Sequence, residues 1–181
     1  MIIGLTGSYA AGKDAAAKYL VRKGFFYHSY SDILRGELVK LGKPTDRENL
    51  IWMGNKVRRE FGAGELSKRI LAEIKKNQEE KALAVGMRNP AEVEFFRAEK
   101  SFQLWFLQAP IQLRYERAQK RKRPEDEVSF DEFKKQETQE HSSDPNEQQL
   151  GRVATMADAT IVNGEDLASL YKKIDGLLEK I

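Results

Sequence analysis

"MIIGLTGSYAAGKDAAAKYL", residues 1–20, runs from an apolar segment through two glycines five apart into a stretch with helical spacing. The segment Met1–Thr6 reads as a buried strand feeding a turn. From about Lys13, Ala17, Leu20 and Val21 recur on one helical face, and "RKG" (Arg22–Gly24) closes the helix with basic residues and a C′ glycine. Between strand and helix, Gly7, Gly12 and Lys13 have the GxxxxGK spacing of a phosphate-binding loop, in the context the mechanism requires. Backbone N–H groups there converge on phosphates, the helix N-terminus adds positive potential, and the lysine reaches the β- and γ-phosphates. Gly7, Ala10, Ala11, Gly12, Lys13, Asp14 and Ala15 are therefore the expected nucleotide-binding residues.

One position departs from the motif. Asp14 stands where a Ser or Thr hydroxyl normally meets Mg²⁺. A carboxylate beside a polyphosphate is repelled by a few kcal/mol, roughly, at an effective dielectric near 20, so it belongs there if a cation lies between them. The alternative is an acidic residue favoured by the dipole in a first helical turn.

The chain has 181 residues, enough for one domain (1–181) with its own core, and its composition, 40% hydrophobic and 33% charged, is that of a globular protein. The formal net charge of +3 suits an anionic ligand. With no cysteine, disulfides, thiolate chemistry and Cys-based zinc sites are excluded, and His28 and His141 are too few and too far apart to suggest a metal site. No apolar run reaches the length of a membrane span, and a strand beginning at residue 2 leaves no room for a leader, so a cytoplasmic location is expected.

Downstream, "FFYHSY" is a second strand, with Ser31 as cap of a helix whose Ile33, Leu34, Leu38 and Leu41 share a face. "TDRE" (Thr45–Glu48) reads as a capping box opening a third helix, and "ELSKRILAEIKK" as a fourth with Leu66, Ile70, Leu71 and Ile74 inward. "ALAV" is a third strand, followed by Asn89 as N-cap and Pro90 at the first helical position. "FQLWFL" is a fourth strand, then come a basic helix "PIQLRYERAQKRKR", an acidic turn "PEDEVS", a second capping box "SFDE", and a polar stretch through "SSDPNEQQ" that reads as mobile. A helix, a fifth strand ending near Val162 and an amphipathic helix finish the chain. Five strands alternating with helices predict an α/β three-layer sandwich on a parallel sheet, with ligands outside the strands' carboxyl ends.

"SDILRGEL" resembles the "GDMLR" segment of adenylate kinases and other nucleoside monophosphate kinases, with Asp32 and Arg35 at matching spacing. "MRNPAEVEFF", "APIQLRYERAQKRKR" and "MADATIVNGEDLASLYKKI" extend the resemblance over nearly the whole chain, most closely to the small P-loop branch related to dephospho-coenzyme A kinases and archaeal kinase-like proteins. The resemblance implies a P-loop NTPase fold of the nucleoside monophosphate kinase type, with acceptor-binding helices at about 31–77 and a basic helical lid at about 112–145. It also implies that Arg35 and Arg88 fork onto an acceptor phosphate, that Asp32 orients or deprotonates an acceptor hydroxyl, and that Asn163 and Gly164 lie near the adenine. Independently, Arg114, Arg117 and Arg121 are spaced to share one helical face, as charge-neutralising lid arginines must. Arg58 and Arg59 read either as additions to the acceptor pocket or as surface charges. The branch usually carries an Asp before the glycine of "DGIR", whereas Val85 stands here, so Asp14 is the expected Mg²⁺ ligand.

The expected function is transfer of the γ-phosphoryl of ATP, with Mg²⁺, to a nucleotide-like small molecule, a nucleoside monophosphate being favoured by the Asp32–Arg35 spacing. The alternatives are dephospho-coenzyme A kinase-type transfer to a hydroxyl, or a non-catalytic or weakly hydrolytic nucleotide-binding protein, which Val85 supports. No membrane partner is expected. Nucleic acid is disfavoured because no aromatic-interleaved surface accompanies the basic helix. A monomer or small homo-oligomer is expected.

Overall fold

The computed structural model describes residues 1–121, 126–138 and 140–181. In chain order the elements are β1 (Ile2–Gly7), α1 (Lys13–Arg22), β2 (Phe26–Ser29), α2 (Tyr30–Lys40), α3 (Arg47–Phe61), α4 (Glu65–Lys76) and β3 (Ala82–Val85). These are followed by α5 (Pro90–Arg97), β4 (Phe102–Gln108), α6 (Ile111–Arg121), α7 (Phe130–Thr138), α8 (Leu150–Thr155), β5 (Ala159–Val162) and α9 (Leu167–Leu178). All strand pairings are parallel, in the order β2-β3-β1-β4-β5.

The side-chain alternation of the strands divides the core into two layers. Ile2, Ala82, Ala84, Phe102 and Leu104 pack on one face with α2, α3, α4, α5 and Val153 of α8. Ile3, Leu5, Leu83, Trp105, Leu107 and Ile161 pack on the other with α1 and α9. The chain is thus the α/β three-layer sandwich expected. Because the strand order runs outward in both directions from β1, the crevice beyond Gly7 is the switch point where such sheets bind ligands.

Local details differ from the sequence reading. Ser29, not Ser31, caps α2 by accepting the Asp32 N–H, and Asp46, not Thr45, caps α3 by accepting the Asn49 N–H. Each shift follows from the cap's need for extended backbone just before the helix, which propensity alone does not locate. Val21 is 45% exposed and Leu41 53% exposed, so neither belongs to the core. Ser29 and Asp46 leave helical faces on which Leu34 and Leu38, then Met53 and Val57, point inward.

The polar stretch read as mobile is pinned. Asn89 caps α5 through Ala91 N–H, and its Nδ2 donates to the carbonyls of Pro145 (2.7 Å) and Glu147 (2.9 Å). Gln149 N–H donates to Arg88 O at 2.8 Å and Leu150 N–H to Glu140 O at 2.8 Å. Beneath this strap, Glu92, fully buried, accepts from Arg88 N–H, Asn89 N–H and the Arg58 guanidinium. The acidic turn and the lid reach into residues 122–125 and 139, which lie outside the described residues.

Replacing Asn89 with Ala removes a helix cap and takes the side-chain donor from the carbonyls of Pro145 and Glu147. We expect a loss of about 2 kcal/mol in urea-induced unfolding, against a change within about 0.5 kcal/mol for Lys43→Ala on the surface. Equal effects of the two substitutions would contradict the role given to Asn89.

Candidate active site

At the end of β1 the backbone must turn sharply where no side chain fits. Gly7 has φ +145°, and a Cβ there would lie 2.0 Å from the carbonyl oxygen of Leu107. Gly12 has φ +100°, and its Cβ would lie 2.2 Å from Asn163 Nδ2. Ala10, between them, holds φ +59°, a conformation that costs a non-glycine residue energy and clusters at ligand sites. Asn163 Nδ2 donates to Ala11 O at 2.9 Å, and Asn163 N–H to Gln108 O at 2.8 Å, so this residue braces the loop against the ends of β4 and β5.

Lys13 opens α1, whose N-cap, Gly12, offers no side chain to the first-turn N–H groups. The Lys13 ammonium donates to Gly7 O (2.8 Å) and Ser8 O (2.9 Å). Burial first, then the neighbouring Arg88, brings its pKa down to about 7, against the opposing pull of Glu140 and Asp14.

The loop forms one wall of a cavity of about 1080 Å³. Tyr9, Ala10, Gly12, Lys13, Asp14 and Ala15 line the loop side, while Gly7 and Ala11 lie behind the surface. The side of α1 continues the wall through Lys18 to Arg22; Tyr27, Ser31, Leu34 and Arg35 face it from β2 and α2. Val85 and Arg88 come from the end of β3, and Arg117 and Arg121 from α6. Among the described residues, Asp32 and Gly164 are not in this lining.

Of the arginines expected to act together, Arg35, Arg88, Arg117 and Arg121 line the cavity and Arg114 does not. Arg117 and Arg121 reach the cavity, Arg117 held by the carbonyls of Asn163 (2.9 Å) and Glu165 (3.2 Å). Arg114, near the start of α6, is buried and donates to Ala109 O, Tyr9 O and Glu137, tying α6 to α7 and to the loop. Arg35 forms an exposed i,i+3 pair with Asp32 at 2.6 Å, and Arg88 is bonded to Glu140 at 3.0 Å, so each of the two already holds a carboxylate. Arg58 is not a surface charge: it is buried against Glu92 and lies in the cavity wall with Arg35 and Arg88. Arg59 pairs at the surface with Glu147 and Asp144.

Three participants were not singled out in the sequence. Tyr9 Oη donates to Asp126 at 2.8 Å, and its ring lies between the guanidinium groups of Arg47 (4.1 Å) and Arg121 (4.6 Å), an arrangement stabilised by cation–π attraction. Burial pushes the Tyr9 phenol up to about 12, with the Asp126 hydrogen bond adding to the Arg121-opposed shift. Arg47, hidden in the "TDRE" segment, also donates to Gln136 (2.8 Å) and Glu140 (3.0 Å). Glu140 is 3% exposed and joins Arg47 and Arg88 in the cavity wall. Burial alone would raise its carboxyl, but Arg88, Arg47 and Lys13 together hold it below the usual range. Tyr9 was visible inside the loop motif; nothing in the spacing of Glu140 signals partners 52 and 93 residues away.

Among the described residues no cluster of three or more His, Cys, Asp or Glu side chains could hold a metal, and no helix is long and apolar enough to cross a membrane.

No protein-family model matches the chain. Over 186 aligned residues it is 31% identical to a UPF0200 protein of Pyrococcus abyssi, covering 100% of this chain and 97% of the relative. The chain belongs to the UPF0200 family. A UPF0200 protein of Sulfurisphaera tokodaii is also 31% identical, over 180 residues covering 99% of this chain and 97% of the relative. Among solved structures, a Thermus thermophilus protein superposes with a TM-score of 0.65 at 16% identity, covering 100% of this chain and 97% of that one. Shikimate kinase from Bacteroides thetaiotaomicron gives 0.61 at 18% identity (99% and 98% covered), and dephospho-CoA kinase from Campylobacter jejuni 0.53 at 18% (99% and 96%). These likenesses establish that this UPF0200 chain has the fold of small P-loop kinases.

The lowered pKa of Lys13 has a measurable consequence. Between pH of about 7 and the unfolded lysine value near 10.4, the unfolded chain binds a proton that the folded chain has released, so stability rises with pH in that window; below it the cost of the buried charge is fully present. An anion on Lys13 restores the ammonium. Binding of ATP at about pH 8.5 should therefore take up close to one proton, read from the buffer dependence of the calorimetric enthalpy, and Lys13→Met should abolish the uptake. Uptake unchanged in the variant would assign it to another group.

Proposed function

We propose that this protein is an ATP-dependent phosphotransferase acting on a small, nucleotide-like acceptor. The observation that carries the proposal is the position of Lys13: at the start of a helix without a side-chain cap, on a strained glycine loop, facing a cavity whose other walls hold Arg88, Arg117 and Arg121. A nucleotide-binding switch needs only the loop. Cations on a separate helix across the cavity are what phosphoryl transfer adds, because catalysis there consists mostly of positioning and of neutralising charge on the moving group.

In this reading Gly7, Ala10, Ala11, Gly12, Lys13 and Ala15 form the backbone cradle for the nucleotide phosphates. Gly7 and Ala11 act from behind the surface by setting the turn. Arg117 and Arg121 serve the transferred group from α6, and Arg114 contributes by fixing that helix. Asn163 and Gly164 border the nucleoside end, Asn163 also bracing the loop. Arg35, with Asp32 beside it, and Arg88 lie on the acceptor side. A nucleoside monophosphate is the acceptor favoured by the Arg35 spacing, although the carboxylate partners of both arginines weigh against a phosphate between them.

The donor set fits Mg²⁺ in a limited way. Mg²⁺ keeps several waters and takes one or two carboxylates besides the phosphates; of the two carboxylates in the cavity lining, Glu140 is held by Arg47 and Arg88, and Asp14 stands in the first turn of α1 next to the loop lysine. Bound there, the ion supplies the charge that offsets the phosphate oxygens. Asp14→Ala should leave ATP binding in EDTA unchanged or tighter, because a repulsive carboxylate is gone, while removing the Mg²⁺ enhancement of binding and lowering Mg²⁺-dependent ADP release by about 100-fold. An unchanged Mg²⁺ response would remove Asp14 from the metal site. The reading as a kinase is tested by acceptor-dependent ADP release across the nucleoside monophosphates and dephospho-coenzyme A. Tight ATP binding without such release favours a nucleotide-binding protein instead.

A further inference from the structure

We infer that the atom phosphorylated is an acceptor hydroxyl, and that Glu140 is the catalytic residue that accepts its hydrogen bond and its proton. This deepens the kinase reading above and rests on it.

The first ground is the state of the acceptor-side cations. An acceptor phosphate needs guanidinium groups with open faces, and each one here already has a carboxylate. Arg88 is held by Glu140 at 3.0 Å and Arg58 by the buried Glu92 at 2.9 Å. Arg47 is held by Glu140 at 3.0 Å and by Gln136 at 2.8 Å, with one face against Tyr9. Arg35 is paired with Asp32, but that pair is exposed at both ends and within one helical turn, so it exchanges readily for another anion. A phosphate dianion placed among Arg47, Arg88 and Lys13 would be repelled by the Glu140 carboxylate, whereas an uncharged hydroxyl would donate a hydrogen bond to it.

The second ground is Glu140 itself. It is a carboxylate in the wall of the same cavity that Lys13, the residue that would hold the reacting end of the nucleotide, lines, and its guanidinium partners Arg47 and Arg88 favour its charged form. Its backbone is fixed, since Leu150 N–H donates to its carbonyl and its own N–H donates to Glu137 O at 3.0 Å. A carboxylate has about four acceptor positions, and Arg47 takes one on Oε1 and Arg88 one on Oε2. That geometry orients the group and leaves acceptor capacity for a substrate O–H. Phosphoryl transfer passes through a loose transition state in which the nucleophile is little bonded, so a carboxylate of low basicity suffices as the proton acceptor. The body of the acceptor would lie against Leu34, Leu50 and Ile51, with an anionic group reaching Arg35.

The reaction balances without further reagents. The hydroxyl oxygen bonds to the γ-phosphorus, the bond from that phosphorus to its bridging oxygen breaks, ADP leaves, and the hydroxyl proton passes to Glu140 and then to solvent. The acceptor class is an alcohol bearing an anionic group.

The test uses the full chain with ATP, Mg²⁺ and a panel of the four ribonucleosides, their 5′-monophosphates and dephospho-coenzyme A. ³¹P NMR of the product of any member that turns over distinguishes a phosphomonoester, with coupling to carbon-bound protons, from a phosphoanhydride, with phosphorus–phosphorus coupling. We expect a phosphomonoester. Glu140→Gln should lower kcat by about 100-fold or more with ATP binding retained, and Glu140→Asp should recover part of it. The retained ATP binding and the partial rescue separate loss of the base from loss of the fold. A phosphoanhydride product, or turnover of Glu140→Gln at the wild-type rate, overturns this assignment while leaving the kinase reading intact. ATP binding with no acceptor-dependent ADP release across the panel defeats the kinase reading and this assignment with it.

Discussion

The site depends on a steric constraint at the end of β1. The chain must leave the sheet beside the carbonyl of Leu107 and re-enter as a helix beside Asn163, with 2.0 Å and 2.2 Å available where Cβ atoms would sit. Two glycines with positive φ satisfy that constraint, and nothing larger can. Once they do, the start of α1 is fixed against β4 and β5, Lys13 is folded over the loop carbonyls, and Arg117 is anchored to the same Asn163 that braces the loop. The anion cradle and the cationic helix opposite it are thereby built on one set of contacts.

Around that cradle the electrostatics are balanced rather than simply positive. Lys13, Arg47, Arg88 and Arg121 converge on a small volume and would repel one another, and Glu140 and Asp126 offset them. Tyr9 adds an aromatic surface on which two of the guanidinium groups rest. Charges of this kind are expensive to bury unless paired, so each pairing both permits the cluster to form and restricts which anions can enter it.

Much of this was legible in the sequence for definite physical reasons. The strand–loop–helix at the N-terminus, the buried stripe Leu66, Ile70, Leu71, Ile74, and the Asn89–Pro90 helix start all follow from local rules, and the structure reproduces them. Helix starts at 30 and 47 were displaced by one or two residues because several Ser, Thr and Asp side chains compete for a cap, and backbone conformation decides among them. The polar stretch through "SSDPNEQQ" read as mobile because it is polar and aperiodic; the order of its last part comes from Asn89, Arg88 and Arg59, which are distant in sequence. Glu140 and the burial of Arg58 were invisible for the same reason. The loop residues could be named from spacing, and the carboxylate partners that decide which arginines remain open could not.

The central claim, that the loop at Gly7–Lys13 cradles a nucleotide's phosphates, is tested most directly by calorimetric titration of the protein with ATP, ADP, AMP and adenosine in one buffer at low salt. The account predicts that affinity falls stepwise as phosphates are removed and that Lys13→Met flattens the series. Adenosine binding as tightly as ATP, or a series unaffected by Lys13→Met, would contradict it.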